Sequence, residues 1–226
     1  MLRDSKLTNS TPPTNSLSVS PSIEVKRVLE FIDQNISEFC TFYKSIKDSD
    51  RENRISDFLV HHLQICKLEK DRGFFPFDFR KNPTQAHSGK ETDIGVFVLT
   101  RGSKPVTIIE FEAKRFSESS NNKEYVCGEK GGIERFKRGH HSSHLSICGM
   151  FGYVQSRTCQ EWIDKVNGWI SDLAANNLDL TIDWTAKEEQ LVVNNSLTNV
   201  EKLLSQNLRI ETSDKIHLWH YIIFLS

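Results

Sequence analysis

Residues 106–114 read Val-Thr-Ile-Ile-Glu-Phe-Glu-Ala-Lys, and this segment constrains the fold more tightly than any other. It is rich in β-branched and aromatic residues, which suit a pleated strand. Strand side chains alternate between faces, so Ile109, Phe111 and Ala113 share one side and Glu110, Glu112 and Lys114 share the other. The apolar side needs a core. The charged side cannot be buried without partners, because isolated buried charges are costly. Two arrangements satisfy both sides: a solvated sheet edge, or a site where the carboxylates become metal ligands beside a catalytic amine.

A second strand-like run, Asp93 to Leu99, precedes it, and Arg101-Gly102-Ser103-Lys104-Pro105 forms a turn cluster between the two. The pair reads as an antiparallel hairpin. A turn centred near 102–104 sets Asp93 opposite Glu112. Like charges facing each other destabilise a sheet unless something neutralises them. Mg²⁺ or Mn²⁺ would do so, taking carboxylate oxygens while keeping waters for a phosphate. Lys114 stands two residues further along.

The rest of the chain supplies covering helices. Residues 1–22 are dominated by Ser, Thr, Pro and Asn and read as a flexible tail. Residues 23–226 read as one α/β domain. Ile23, Val25, Val28, Leu29, Ile32, Ile36 and Phe39 follow the helical period, as do Ile55, Phe58, Leu59, His62, Leu63 and Cys66 over about 50–69. Ser22 and Asp50 are the candidate N-caps. Further helices are expected over Gly131–Ser143, Glu161–Ala174 and about 198–205. Gly149–Val154 and Ile216–Leu225 read as strands, and Ser117–Lys123 as a loop. Trp162, Trp169 and Phe136 are expected in the core.

Composition excludes several function classes. The 29 basic and 30 acidic residues of the 226 leave a net charge of −1, which argues against a histone-like binder working by bulk charge and leaves room for a local basic patch. No run approaches the roughly 20 apolar residues of a membrane helix. No secretory leader is visible. The five cysteines show no CxxC spacing, which points to a reducing, cytoplasmic compartment rather than a disulfide framework.

Asp93, followed on the next strand by Glu112-Ala113-Lys114, resembles the Asp…Glu-X-Lys core of the PD-(D/E)XK nuclease superfamily. The resemblance covers about residues 50–175. Thr92 stands where the family's Pro-Asp pair has proline. The resemblance implies a restriction-endonuclease-like fold, a mixed central sheet flanked by helices. It also implies a metal-dependent endonuclease acting on phosphodiester bonds, DNA foremost, in the setting of a bacterial restriction or defence system. Asp93 and Glu112 would be the metal ligands, Glu52 the acidic residue joining them from the preceding helix, and Lys114 the catalytic amine. Glu110 would tune Lys114 or back the ligands. Arg135, Lys137 and Arg138 would lie along a phosphate backbone, and the run from Gly131 to Phe136 also resembles uncharacterised bacterial nuclease-like proteins. A homodimer and a larger protein partner both stay open.

Three other readings compete. A nuclease-like fold without catalysis could bind nucleic acid or protein for a separate enzyme. Zinc could sit on His140, His144 and Cys148, with Cys127 and His141 nearby, although Gly139 and Ser142-Ser143 argue against the continuous helix this needs. A Cys–His hydrolase has only the abundance of both residue types behind it.

Overall fold

The computed structural model describes residues 22–70, 76–85, 89, 91–99, 102, 104–128, 130–176 and 179–226. The tail up to residue 21, and Arg101 and Ser103 of the turn, lie outside the described residues.

Helix α1 spans Ile23–Ile46, and the Ser22 hydroxyl caps it by accepting from the Val25 amide at 3.3 Å, as the sequence predicts. Helix α2 spans Glu52–Lys70. Its cap differs from the expectation. The Arg51 carbonyl receives the Ile55 amide at 3.0 Å, while the Asp50 carboxylate accepts from the Tyr43 hydroxyl at 3.0 Å. All six apolar-side residues expected on α2, Ile55, Phe58, Leu59, His62, Leu63 and Cys66, are buried.

Seven strands follow: β1 Phe77–Lys81, β2 Ile94–Val98, β3 Val106–Phe116, β4 Ile147–Val154, β5 Val192–Leu197, β6 Val200–Leu208 and β7 Lys215–Phe224. They join one sheet in the order β1-β2-β3-β4-β7-β6-β5. β1, β2 and β3 run antiparallel, β4 is parallel to both β3 and β7, and β7, β6 and β5 are again antiparallel. A 3-10 turn at Asn122–Tyr125 and helix α3, Gly132–Lys137, connect β3 to β4. Helices α4, Cys159–Asn176, and α5, Ala186–Glu189, connect β4 to β5. The chain is therefore a mixed α/β fold with a central sheet.

Two elements correct the sequence reading. The helix expected over 198–205 is strand β6. Thr198 and Asn199 form a two-residue turn in which Leu197 pairs with Val200, and Asn199 takes the left-handed conformation, φ 62°. That conformation suits Asn in a hairpin and forbids a helix start there. The helix expected over Gly131–Ser143 stops at Lys137, and Gly139, at φ 65°, turns the chain away.

The sheet divides the core. On one face α1 and α2 pack Val25, Ile32, Phe39, Leu59 and Leu63 against Phe111, Ala113, Phe151 and Tyr221. On the other, α3 and α4 pack Ile133, Phe136, Trp162 and Val166 against Phe116, Met150, Leu218 and Ile222. Trp162 is in the core as expected, and Trp169 packs partly buried against it. Because β3 lies between β2 and β4, its charged row is not a solvated edge. Glu110 is 1% exposed and Glu112 2%. Among the described residues, no helix is long and apolar enough to cross a membrane.

Candidate functional site

The hairpin register pairs Ile94 with Phe111, so Asp93 stands opposite Glu112 at the mouth of the β2–β3 pair. Asp93 Oδ2 accepts from the Ala113 amide at 2.7 Å, which ties the carboxylate to β3. Glu112 Oε1 accepts from Lys114 Nζ and from an Arg135 guanidinium nitrogen, each at 2.9 Å. His141 Nε2 is 3.8 Å from Glu112 Oε2. Glu52, the first residue of α2, accepts from the Arg115 amide at 2.8 Å and lies 3.8 Å from Lys114 Nζ. Asp93, Glu112, Lys114 and Glu52 thus gather at one corner of the sheet, although they lie 19 to 62 positions apart along the chain apart from the Glu112–Lys114 step.

Electrostatics follow from that crowding. Burial, then the Glu112 charge, push Asp93 up from its usual 3.8 to about 7, against the pull of Lys114 and the Ala113 amide. Burial also raises Glu52, opposed by Lys114 and the Arg115 amide. For Lys114, burial works against the ammonium, but Glu112, Glu52 and Asp93 outweigh it and hold the pKa above its ordinary value. Lys114 therefore stays protonated at neutral pH and acts as a cation, not as a proton acceptor.

Glu110 faces the same side but does a different job. The Gln85 amide donates to it at 2.6 Å, and the Ser142 hydroxyl donates to the same oxygen. Burial raises its pKa, with Ser142 and Gln85 opposing. Its bonds hold the 139–145 loop and the Gln85 segment against β3, behind the Glu112 position.

The expected basic face of α3 is not what the fold builds. Lys137 is fully buried, paired with Glu189 and placed over the Trp184 ring at 4.7 Å. Arg138 is bonded to Glu134 at 2.6 Å and to Asp179 at 2.5 Å. Only Arg135 points at the site, and there it holds Glu112. Two further basic groups face the corner, and the sequence reading assigned a role to neither. A cleft of about 310 Å³ beside Lys114 is lined by Arg51, Glu52, Arg115, Asn121 and Glu124. Arg115 directly follows the Glu-X-Lys run, and Arg51 directly precedes Glu52, so adjacency to the motif was the available signal.

The zinc arrangement on His140, His144 and Cys148 does not form. His140 and His144 are exposed on the loop after α3, and Cys148 is buried in β4. Among the described residues, the one group of three His, Cys, Asp or Glu side chains with ligand atoms within 4.8 Å of each other is Glu38, His62 and Cys66.

The Asp93–Glu112 pair suits a hard divalent cation. Both donors are carboxylates, they face each other, and the penalty that lifts Asp93 is the one a cation between them removes. Asp93 and Glu112 would hold such an ion. A carboxylate shifted by burial and a neighbouring charge, beside a cleft, is a functional-site candidate. Comparison of the chain with protein-family models, with curated proteins and with solved structures finds no match in any of the three.

Proposed function

We propose that the chain is a metal-dependent nuclease that hydrolyses phosphodiester bonds, DNA foremost, on a restriction-endonuclease-like fold. The carrying observation is the facing of Asp93 and Glu112 across β2 and β3, with Lys114 bonded to Glu112 at 2.9 Å. The mixed sheet flanked by helices is in keeping with that fold, and the free cysteines are in keeping with a cytoplasmic location. Mg²⁺ or Mn²⁺ bound by Asp93 and Glu112 would polarise the phosphate and make a bound water more acidic. Lys114, kept positive by three carboxylates, stabilises negative charge developing on the phosphate oxygens. Glu52 sets the direction of Lys114 and fixes β3 through the Arg115 amide. Arg135 fixes Glu112 from the opposite side. Arg51 and Arg115 offer the incoming phosphate a positive rim.

One observation favours a second reading, a nuclease-like subunit that binds without cutting. Glu112 Oε1 already carries two cationic partners within the chain. The experiment that separates the two is cleavage of single- and double-stranded DNA and RNA with Mg²⁺, with Mn²⁺ and with EDTA. The nuclease reading requires cleavage that EDTA stops and that Lys114→Ala lowers by about 100-fold or more, with binding in Ca²⁺ retained. Wild-type protein that binds nucleic acid yet cuts none of the four substrates with either ion leaves the binding reading standing.

A further inference from the structure

We propose that Glu38, His62 and Cys66 form a second metal site, for one borderline transition-metal ion with Zn²⁺ foremost, at the seam between α1 and α2. His62 and Cys66 are four residues apart on α2 and therefore share a face. They are 6% and 3% exposed, whereas Glu38 reaches the seam from α1 with its side chain exposed. The three ligand atoms lie within 4.8 Å of one another.

The orientation of His62 is the second observation. Its Nε2 lies 3.0 Å from the Asn35 backbone carbonyl, and Cys66 Sγ is 3.5 Å from Nε2 and 4.0 Å from Nδ1. Donation from Nε2–H to that carbonyl fixes the tautomer and turns the Nδ1 lone pair into the ligand. Metal-binding histidines are held in this way, with the far ring nitrogen on a backbone carbonyl or carboxylate. Zn–S of about 2.3 Å and Zn–N of about 2.0–2.1 Å at tetrahedral angles put sulfur and nitrogen roughly 3.5 Å apart; Cys66 Sγ now lies nearer Nε2 than Nδ1, so ligation through Nδ1 takes a change of Cys66 rotamer that carries the sulfur round the ring edge. Phe42 and Phe39 pack their rings 5.2 and 5.8 Å from the imidazole and limit its swing. Glu38 brings the third donor atom from α1.

The donor set distinguishes this site from the first. Thiolate, imidazole and one carboxylate suit zinc, whereas the all-oxygen pair Asp93 and Glu112 suits magnesium. Binding releases the Cys66 thiol proton to solvent, so affinity falls as pH drops. The ion would pin α2 to α1, and α2 is the helix whose first residue, Glu52, reaches Lys114. The site rests on its own residues and stands whether or not the chain is a nuclease.

The test is titration of the reduced, metal-free full chain with Co²⁺. One equivalent should produce a thiolate-to-cobalt charge-transfer band in the near ultraviolet, and Zn²⁺ should displace it. Cys66→Ser should remove the band. Glu38→Gln, at an exposed position that leaves the fold intact by circular dichroism, should weaken Co²⁺ binding by about tenfold or more. His61→Ala and Asp93→Asn should leave the band in place. A wild-type protein with no thiolate band overturns the proposal. So does a band that survives Cys66→Ser, which belongs to another cysteine, or an affinity unchanged in Glu38→Gln.

Discussion

Replacing Asp93 with Asn should make the metal-free protein more stable at alkaline pH. Asn keeps the shape and can still accept from the Ala113 amide through its side-chain oxygen, but it carries no charge beside Glu112. The wild-type carboxyl has a pKa of about 7 in the fold against 3.8 ordinarily. Because the folded value is the higher one, the folded state holds a proton that the unfolded state releases. Its stabilising effect is complete below pH 4 and is lost as pH rises through 7, at about 1.4 kcal/mol per pH unit. The full displacement corresponds to about 4 kcal/mol. Glu112 and Glu52 share the crowding, so a gain on the order of 2–4 kcal/mol is expected for the variant above pH 7. Urea unfolding of both proteins in EDTA, from pH 4.5 to 8.5, reads the difference directly. The gap between them should open across that range and level off above pH 7. Mg²⁺ at pH 8.5 should then stabilise the wild type and leave Asp93→Asn where it was. Parallel stability curves for the two proteins, or a variant less stable at pH 8.5, would refute the account of the carboxylate pair.

Lys137→Ala should cost about 3–5 kcal/mol in a urea melt, because it strands Glu189 without its partner in the core, and it should leave the salt dependence of nucleic-acid binding unchanged. A soluble, fully stable Lys137→Ala protein with weakened binding would return that residue to the surface. Arg51→Ala with Arg115→Ala should flatten the slope of log affinity against log salt, measured in Ca²⁺, by about 1–2; an identical slope would move the phosphate path elsewhere. His220 is buried between the Tyr125 hydroxyl at 2.9 Å and the Ser205 hydroxyl at 2.8 Å, and burial lowers its pKa to about 3. The unfolded chain takes up that proton first, so stability should fall from pH 6.5 downward by up to about 1.4 kcal/mol per unit. His220→Gln should show a shallower acid limb, and an unchanged limb would assign acid unfolding to other groups.

The hairpin was legible because every cue agreed: β-branched residues, a Gly-containing turn, and charges at every second position. Helices α1 and α2 were legible from their stripes for the same reason, except that Ile23, counted in the α1 stripe, opens the helix 76% exposed. Strand β6 was not legible. Val200, Leu203 and Leu204 recur at three- and four-residue steps, which is a helical signal, and what decides otherwise is pairing with β7, where their partners stand 15 to 23 positions further on. Strand β1 carried its alternation in Phe77 and Phe79 but over only five residues. Register arithmetic alone set Asp93 opposite Glu112, and the hairpin pairs them so. The basic helix was not legible, because the fate of Lys137 depends on Glu189, 52 residues further on, and spacing along one helix carries no information about such a partner. The Glu134–Arg138 pair, four residues apart, was readable as an internal ion pair that would withdraw Arg138 from any ligand.

Strand β4 contributes no carboxylate or amine to the candidate site, yet it packs directly against β3, the strand that carries Glu112 and Lys114. A Cβ on Gly149 would lie 2.3 Å from ring carbons of Phe111, and one on Gly152 would lie 2.7 Å from both Phe116 and Ile222. Phe111 fills the space that Gly149 leaves vacant, and its two neighbours along β3 are Glu110 and Glu112. Any side chain at 149 must push that ring aside, and the ring stands on β3 between the two glutamates. On the proposed reading the cleft rim, where Arg51 and Asn121 stand, is the place that can absorb variation, while Gly149, one strand behind the carboxylates, has no room for even a methyl group unless Phe111 moves.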